Sequence, residues 1–235
     1  GELVLTIPKI HDARTFAGYQ LIDPEQLIKI HSEQPLDHLL MAQQLGTVMF
    51  SSNFLPDLHG RIVVILGQGT AGLFHSFVAK QLGALKIIAI DPIAHRLEIA
   101  KSMGADETIN VTGAEATEAV LNLTGGIGAD VVIEAVGSIE TLNQTLELSN
   151  PHGLIIGFGL PTTSQHIPFN WDLLFSKSLT IHAIHGAQDE PGLPDFQKAL
   201  DSITNSKIDV SRLITHQFNI SRVDEAFELA RSKKR

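Results

Sequence analysis

Three glycines, Gly67, Gly69 and Gly72, lie between an apolar run and a helical pattern at a spacing suited to phosphate binding. The first permits a tight turn, the second lets the backbone approach a pyrophosphate, and the third lets a helix pack closely on the preceding strand. The helix that follows would present free N–H groups and a partial positive charge to phosphate oxygens. The predicted phosphate-binding residues are Gly67, Gln68, Gly69, Thr70, Ala71 and Gly72.

An acidic residue, Asp91, ends the next apolar run and supplies a second group that such a site needs. Its carboxylate can accept hydrogen bonds from both hydroxyls of an adenosine ribose. Because strand, glycine turn, helix, second strand and acid occur in order, the pattern predicts a dinucleotide-binding site, whereas a lone glycine triplet also suits a purely structural turn. A nucleoside-methyl-donor site uses similar parts but usually has an acid where Ile65 lies and a glycine where Ala71 lies.

The composition limits the other classes of function. The 235 residues carry a formal net charge of −9, and the basic cluster is the tail 233–235, so nucleic acid and anionic membranes are not expected partners. The absence of cysteine excludes disulfides and thiolate metal sites from these residues. No signal-peptide pattern and no apolar run of about 18–20 residues is present, and we expect a cytoplasmic protein.

Apolar runs alternate with helical patterns through the middle of the chain. The predicted strands are 61–66, 86–91, 107–109, 130–134, 152–158 and 178–185. The predicted helices are 73–82, 94–103, 114–123 and 139–148. Because parallel strands are joined by crossover helices, this order predicts an α/β fold with a doubly wound parallel sheet.

The flanking segments have a different pattern. Short strands are predicted over 1–7, 16–22 and 26–30, and helical spacing over 37–54 is interrupted by Gly46. After a linker at 191–194, the pattern predicts a helix over 196–203, a strand over 213–220 and a helix over 221–231. These segments therefore do not continue the regular alternation.

From residue 16 onward the sequence resembles the medium-chain dehydrogenase/reductase family, the zinc alcohol and polyol dehydrogenases and their zinc-free relatives. The motifs that carry the resemblance are 16–19, 67–72, 91–96, 100–106, 128–137, 214–218 and 225–227. The resemblance implies a Rossmann dinucleotide-binding domain over 45–186. It also implies that 1–44 and 187–235 are a reduced remnant of the catalytic, substrate-binding domain.

The resemblance also implies the cofactor and the residues that hold it. Asp91 would hold the adenosine ribose, with Pro92 beside it and Arg96 where a basic residue often lies. The nicotinamide half would meet the strand ends at Val136, Gly137, Gly157 and Phe158, and Thr47 lies where a small residue often touches its ring; ordinary core packing is the alternative for Val136 and Phe158. The cofactor is expected to be NAD, because Asp91 would face the 2′-phosphate of NADP.

The sequence departs from the family pattern in ways that predict no metal site. Family members have a longer N-terminal part, and Gln43 lies where zinc-using relatives place an anionic ligand, which a neutral amide replaces poorly. The histidines show no spacing typical of metal ligands. Those considered are His11, His31, His38, His59, His182 and His185.

We therefore expect an NAD(H)-dependent oxidoreductase that transfers hydride between nicotinamide and an alcohol or carbonyl substrate. No residue is identified for the proton relay that such a reaction needs. A non-catalytic dinucleotide-binding sensor or interaction module is the alternative, and the sequence also suits a fragment of a longer dehydrogenase. A homodimer is expected through the strand 178–185, whose apolar edge invites association.

Overall fold

A six-stranded parallel sheet organises the larger part of the chain. The computed structural model describes residues 1–9, 17–161 and 166–232, and it divides into two compact units, Gln44–Ala187 and the combined segments Gly1–Gln43 and Gln188–Arg235. The predicted α/β fold class is confirmed. The assignment of 45–186 and its flanks to functional domains stays a prediction.

The order of the strands across the sheet differs from their order in the sequence, and the chain changes its direction across the sheet once. They are β3 (Ile62–Leu66), β4 (Lys86–Ile90), β5 (Glu107–Ile109), β6 (Ala129–Glu134), β7 (Ser149–Gly157) and β8 (Thr180–Ala183). They are ordered β5-β4-β3-β6-β7-β8, and each neighbouring pair is parallel. The reversal between β3 and β6 opens a crevice at their carboxyl ends, where open α/β sheets bind ligands.

Helices cover both faces of this sheet. They are α3 (Thr70–Gln81), α4 (Ala94–Ser102), α5 (Gly113–Leu123), α6 (Ile139–Leu148) and the short α7 (Trp171–Ser176). Helix α3 packs against α4, and α5 packs against α6. Right-handed crossovers place the first pair on one face and the second pair on the other.

Apolar burial explains why these segments become central strands. Val63, Val64 and Ile65 of β3 are completely buried, as expected for a strand covered by helices on both faces. The core between the sheet and the α5–α6 layer includes Val132, Leu146 and Ile155.

The second unit is built from short elements. An antiparallel pair joins β1 (Val4–Thr6) to β2 (Leu27–Lys29). Helix α1 (Leu36–Leu40) precedes α2 (Ala42–Ser52), which crosses the division between the units. Helices α8 (Pro194–Thr204) and α9 (Val223–Ser232) complete the described part.

Several predictions about local structure are wrong. Residues 17–22 form no strand, and neither does 213–220, where 214–219 is a loop between the 3-10 helices Ser211–Leu213 and Ile220–Arg222. Gly46 lies within α2, and the helical stretch instead breaks at Met41. Strand β7 starts at Ser149, ahead of the predicted 152, and its pairing with β6 shifts register between Ala129 and Val131. Helix α7 was not predicted.

Some predictions fall on residues outside the described ranges. These are the polar segment 11–14 with His11, the start of the 16–22 strand, and the basic tail 233–235. No helix among the described residues is long and apolar enough to cross a membrane.

A histidine buried in α3 makes the fold sensitive to acid. His75 is 1% exposed, and its Nε2 atom has no hydrogen-bond partner. Burial lowers the pKa of His75 from 6.5 to about 3. Because the unfolded chain then binds a proton that the folded chain excludes, this residue destabilises the fold as the pH falls from 6.5 towards 3.

We predict that His75→Leu reduces the loss of stability at acid pH. Within that window the wild-type histidine makes the free energy of unfolding fall by up to about 1.4 kcal/mol per pH unit, and leucine removes this contribution. Urea unfolding at several pH values between 7 and 4 measures the slope of the free energy of unfolding against pH. The exposed His31→Leu is the matched control, because it removes a histidine that is not buried, and it should leave the slope unchanged. Equal slopes for wild type and His75→Leu would contradict the assignment.

Candidate functional site

The glycine turn after β3 has a conformation that only glycines permit. Gly67 has a φ of +87°, and a Cβ atom there would lie 2.7 Å from Val136 Cγ2. A Cβ atom on Gly72 would overlap the carbonyl oxygen of Gly67. A Cβ atom on Gly69 would meet nothing within 4 Å. Gly67 and Gly72 are therefore required by the fold itself, whereas Gly69 faces open space.

Helix α3 begins directly behind this open space. Gly69 is its N-cap and provides no side-chain hydrogen bond. The N–H groups of the first helical turn, from Thr70 to Gly72, have no partner in the preceding turn of a helix. They point out of the helix N-terminus, where the helix dipole favours an anion. The arrangement can bind a phosphate group.

Gln68, predicted to bind the cofactor, makes its hydrogen bonds to other residues of the chain. Its side chain is completely buried, with Nε2 donating to Ile65 O at 3.3 Å and Oε1 accepting from Ser76 Oγ at 3.2 Å. Its backbone N–H donates to Asp91 Oδ2 at 2.7 Å. Gln68 therefore holds the turn in place.

Asp91 follows β4 and is 3% exposed. Besides the bond from Gln68, its other oxygen accepts from Ile93 N at 2.8 Å, and Arg96 Nη1 lies 3.5 Å from Oδ2. A carboxylate has about four acceptor positions, so capacity for hydroxyl donors remains. The structure thus brings Asp91, Arg96 and the glycine turn together.

A groove beside Asp91 was not predicted from the sequence. It has a volume of about 490 Å³ and runs past the carboxyl ends of β4 and β5; its lining residues are Pro92, Asn110, Val111, Thr112, Ala114 and Glu115. Asn110 Nδ2 donates to Asp91 O at 3.0 Å and ties the two strand ends together. In the sequence, the polar turn before Gly113 was the feature that could have indicated this groove.

Glu134 organises the opposite wall of the crevice, and its role was also missed. It ends β6 and is 2% exposed. Its carboxylate accepts from Val136 N and Gly137 N, both at 2.9 Å, and from Thr141 Oγ1 at 2.7 Å. These donors satisfy the buried carboxyl oxygens, so Glu134 shapes the loop that holds Val136 and Gly137.

The residues after β7 are packed against this loop. Phe158 N and Gly159 N both donate to Glu134 O at 2.9 Å. The Phe158 ring lies edge-on to His75, with ring centroids 4.7 Å apart and an interplanar angle of 87°. Gly157 ends β7. Four residues predicted to meet the cofactor, Val136, Gly137, Gly157 and Phe158, are thus gathered at adjacent strand ends.

Backbone hydrogen bonds align these strand ends in a single row. Just past their strands, Gly67 N donates to Ile90 O at 2.8 Å and Ala135 N donates to Leu66 O at 2.9 Å. Ile184 N likewise donates to Gly157 O at 2.9 Å. The parallel ladder therefore continues one step beyond each strand and places the loop residues side by side.

Thr47 and Gln43 precede β3 in the sequence and do not belong to the loops at these strand ends. Thr47 is half-buried in α2, as is Gln43, and both take part in interactions within the chain. The nicotinamide contact of Thr47 stays a prediction.

No group of three or more His, Asp or Glu side chains that could hold a metal ion occurs in ranges 1–9, 17–161 and 166–232. The ring of His182 is stacked on that of Phe54, with ring centroids 3.9 Å apart. His59 Nδ1 lies 2.6 Å from Asp57 Oδ1. The described residues therefore do not fit zinc. The absence of bound zinc stays a prediction that elemental analysis of the purified chain tests.

The sequence is similar to those of known dehydrogenases. An alcohol dehydrogenase of Cupriavidus necator is 34% identical over 170 residues, which cover 72% of this chain and 46% of that protein. The L-threonine 3-dehydrogenase of Saccharopolyspora erythraea is 30% identical over 224 residues, which cover 95% of this chain and 63% of that protein. The chain thus spans about half to two thirds of the length of these relatives.

A solved structure agrees with the sequence comparison. The crystal structure of an alcohol dehydrogenase from Thermotoga maritima matches with a TM-score of 0.76 and 30% identity, over 90% of this chain and 59% of that one. Residues 71–205 match the family described as zinc-binding dehydrogenase. This match covers more than half of the chain and includes α3, Asp91 and the loops after β6 and β7. The chain therefore belongs to the zinc-binding dehydrogenase family, within the medium-chain dehydrogenases/reductases.

Proposed function

We propose that the chain binds NAD(H) and forms the cofactor-binding part of an oxidoreductase that acts on an alcohol or carbonyl substrate. The observation that carries the proposal is the open space at Gly69. The turn is so crowded at Gly67 and Gly72 that neither can carry a side chain, yet the glycine between them faces no protein atom within 4 Å. A glycine in open space at a helix N-terminus suits a ligand that approaches the backbone closely.

The residues of the row would hold the dinucleotide along its length. The first turn of α3 would bind the pyrophosphate, Asp91 the adenosine ribose, and the groove at Pro92 and Asn110 the adenine. The nicotinamide half would lie at Val136, Gly137, Gly157 and Phe158, with Thr47 against the ring. NAD, when bound, supplies or accepts the hydride. The chain's own residues orient the cofactor, and the apolar side chains at the strand ends exclude water from it.

Domain roles follow from the same proposal. The unit Gln44–Ala187 contains every predicted cofactor residue, which supports assigning 45–186 to cofactor binding. The segments 1–44 and 187–235 would belong to the substrate domain. The relatives named as dehydrogenases are longer than this chain, so substrate turnover is proposed for the whole protein.

A non-catalytic dinucleotide-binding module is the second candidate. It is favoured by the absence of a metal-binding group among the described residues and by the lack of an identified proton relay. Measurement of NAD⁺ reduction with a panel of alcohols separates the two functions. Binding without turnover by the full natural protein would support the second.

We predict that Gly69→Ala weakens cofactor binding while leaving the fold intact. The added methyl group meets no protein atom within 4 Å, but it would occupy the space of the pyrophosphate. We expect NADH affinity to fall at least ~10-fold, or about 1.4 kcal/mol, with little change in thermal stability. Isothermal titration calorimetry and thermal unfolding measure the two effects.

Two further variants complete this experiment. Gly18→Ala is the matched control, because its added methyl group also meets nothing within 4 Å; it should change neither quantity. Gly72→Ala should lower stability, since its Cβ atom would overlap Gly67 O. Unchanged NADH binding by Gly69→Ala would show that the turn is only structural.

We predict a preference for NAD over NADP that depends on Asp91. The 2′-phosphate of NADP would lie against this carboxylate, an unfavourable contact of roughly 1–3 kcal/mol. Arg96, 3.5 Å from Asp91 Oδ2, offsets part of it. Asp91→Ser should narrow the preference in parallel titrations of NAD⁺ and NADP⁺. Equal or tighter binding of NADP⁺ by the wild type would refute the NAD assignment.

We also predict a homodimer through β8. This strand ends the sheet and pairs with β7 on one side only, so its outer edge presents unpaired backbone groups. Because Ile184 N donates towards β7, the alternation of a strand directs the N–H of Ala183 outward. Ala183→Pro should therefore weaken dimerisation and Ala183→Ser should not. Light scattering at micromolar concentration tests this, and a monomeric wild type would exclude the dimer.

A further inference from the structure

An aromatic contact joins helix α3 to the loop that follows β7. The rings of His75 and Phe158 meet edge-on, with centroids 4.7 Å apart and an interplanar angle of 87°. His75 is 1% exposed, whereas Phe158 is only half-buried. The contact therefore supports Phe158 from the buried side and leaves part of this residue accessible to a ligand.

The main chain of Phe158 is fixed, but this does not fix its ring. Phe158 N donates to Glu134 O at 2.9 Å, which holds the backbone at the carboxyl end of β6. A phenylalanine side chain still rotates about two bonds, and rotation about the second has no sharp preference. The orientation of the ring therefore depends on the side chains that pack against it.

Phe158 also lines an apolar hollow at the carboxyl ends of β6, β7 and β8. The hollow has a volume of about 520 Å³, and its other walls include α6, β8 and residues 167–169. His75 is absent from this lining and is too deeply buried to touch a ligand there itself. Any effect of His75 on a ligand in this region must therefore act through a neighbour such as Phe158.

A histidine is an unfavourable residue for apolar packing alone. His75 Nε2 is buried without a hydrogen-bond partner in the part of the chain that the structure describes, and such an atom destabilises a fold. Burial also lowers the pKa of His75 to about 3, so the ring is neutral at neutral pH. The neighbouring residues Phe74 and Val78 of α3 are buried and apolar. Leucine would satisfy such packing without an unpartnered atom, but it lacks a flat ring whose edge can meet Phe158.

We propose that His75 is a positioning residue, which holds the ring of Phe158 in one orientation and thereby strengthens the binding of the nicotinamide end of NAD(H). The inference rests on the proposed function, in which Phe158 meets the nicotinamide half. Aromatic pairs favour an edge-on geometry at this separation, so the contact restricts the rotation of the Phe158 ring. The adenosine and the pyrophosphate would bind at Asp91 and the glycine turn, and their binding does not depend on this contact.

Calorimetric titration with NADH and with ADP-ribose tests the assignment, because ADP-ribose carries the adenosine and the pyrophosphate but no nicotinamide. We expect His75→Leu to raise the dissociation constant of NADH about 5-fold and that of ADP-ribose less than twofold. His75→Phe keeps a flat ring and should leave the NADH value within about twofold of the wild type. His75→Met, which is unbranched and apolar, replaces the leucine variant if that variant does not fold.

Phe77→Leu is the matched control on the same helix. Phe77 is buried and lies two residues further on, roughly 200° around α3 from His75. The control should lower thermal stability and leave the dissociation constants of both ligands within about twofold of the wild type. If Phe77→Leu weakens NADH binding as much as His75→Leu does, the effect belongs to the helix as a whole and the proposal is overturned.

A double-mutant cycle shows whether His75 acts through Phe158. Phe158→Leu should weaken NADH binding by itself, and addition of His75→Leu should then change the dissociation constant less than twofold. A further loss of about 5-fold in the double variant would mean that His75 acts by another route, which overturns the proposal. The same conclusion follows if His75→Phe loses as much NADH affinity as His75→Leu.

The two ligands also separate this inference from the proposed function. If the wild type binds neither NADH nor ADP-ribose, the proposed function fails and this inference fails with it. If the wild type binds both and His75→Leu leaves the ratio of their dissociation constants unchanged, NAD(H) binding stands and only the positioning role of His75 is overturned.

Discussion

The contact between α3 and the end of β3 is the constraint on which the site depends. Gly72 lies so close to the carbonyl of Gly67 that any side chain there would overlap it. This contact holds the helix N-terminus directly above the strand end, next to the crevice where the strand order reverses. Gly67 is pressed against Val136 in turn, so the turn after β3 and the loop after β6 constrain each other.

Two buried carboxylates complete this arrangement, held mainly by hydrogen bonds from backbone N–H groups. Asp91 accepts backbone N–H groups from Gln68 and Ile93, and Glu134 accepts them from Val136 and Gly137. A buried charge is tolerated when hydrogen bonds satisfy it. Each carboxylate therefore determines the shape of the loop that follows its own strand, and Asp91 also joins the turn after β3 to the end of β4.

The features set by local sequence could be predicted, and those set by distant contacts could not. Buried apolar runs such as 61–66 and the glycine turn depend on residues close in sequence, so the sheet and the turn after β3 could be predicted. Phosphate binding by that turn stays a prediction. The segment 213–220 alternates like a strand, but no neighbouring strand pairs with it among the described residues. Glu134 lay within a recognised motif, and its carboxylate bonds only to nearby residues, Val136, Gly137 and Thr141. Its place next to the end of β7, where Phe158 N and Gly159 N donate to its backbone carbonyl, depends on residues distant in sequence. The apolar hollow likewise combines α6, β8 and residues 167–169.

Several structural costs lie at the carboxyl edge of the sheet, and other residues with positive φ angles, such as His152 and Ser178, lie elsewhere. At the carboxyl edge, Gly67 and Gly137 adopt positive φ angles, two carboxylates are buried, and the unpartnered Nε2 of His75 belongs to the ring that packs on Phe158. At the amino ends of the strands, two carboxylates bond to backbone N–H groups of neighbouring strands. Asp130 Oδ2 accepts a hydrogen bond from Ile62 N, and Asp106 Oδ2 accepts one from Ile87 N, both at 2.8 Å. Strained backbone and poorly satisfied polar groups tend to persist where a ligand needs them. The buried carboxylates and the unpartnered His75 Nε2 therefore support a ligand-binding role for the carboxyl edge beside the argument from the glycine turn.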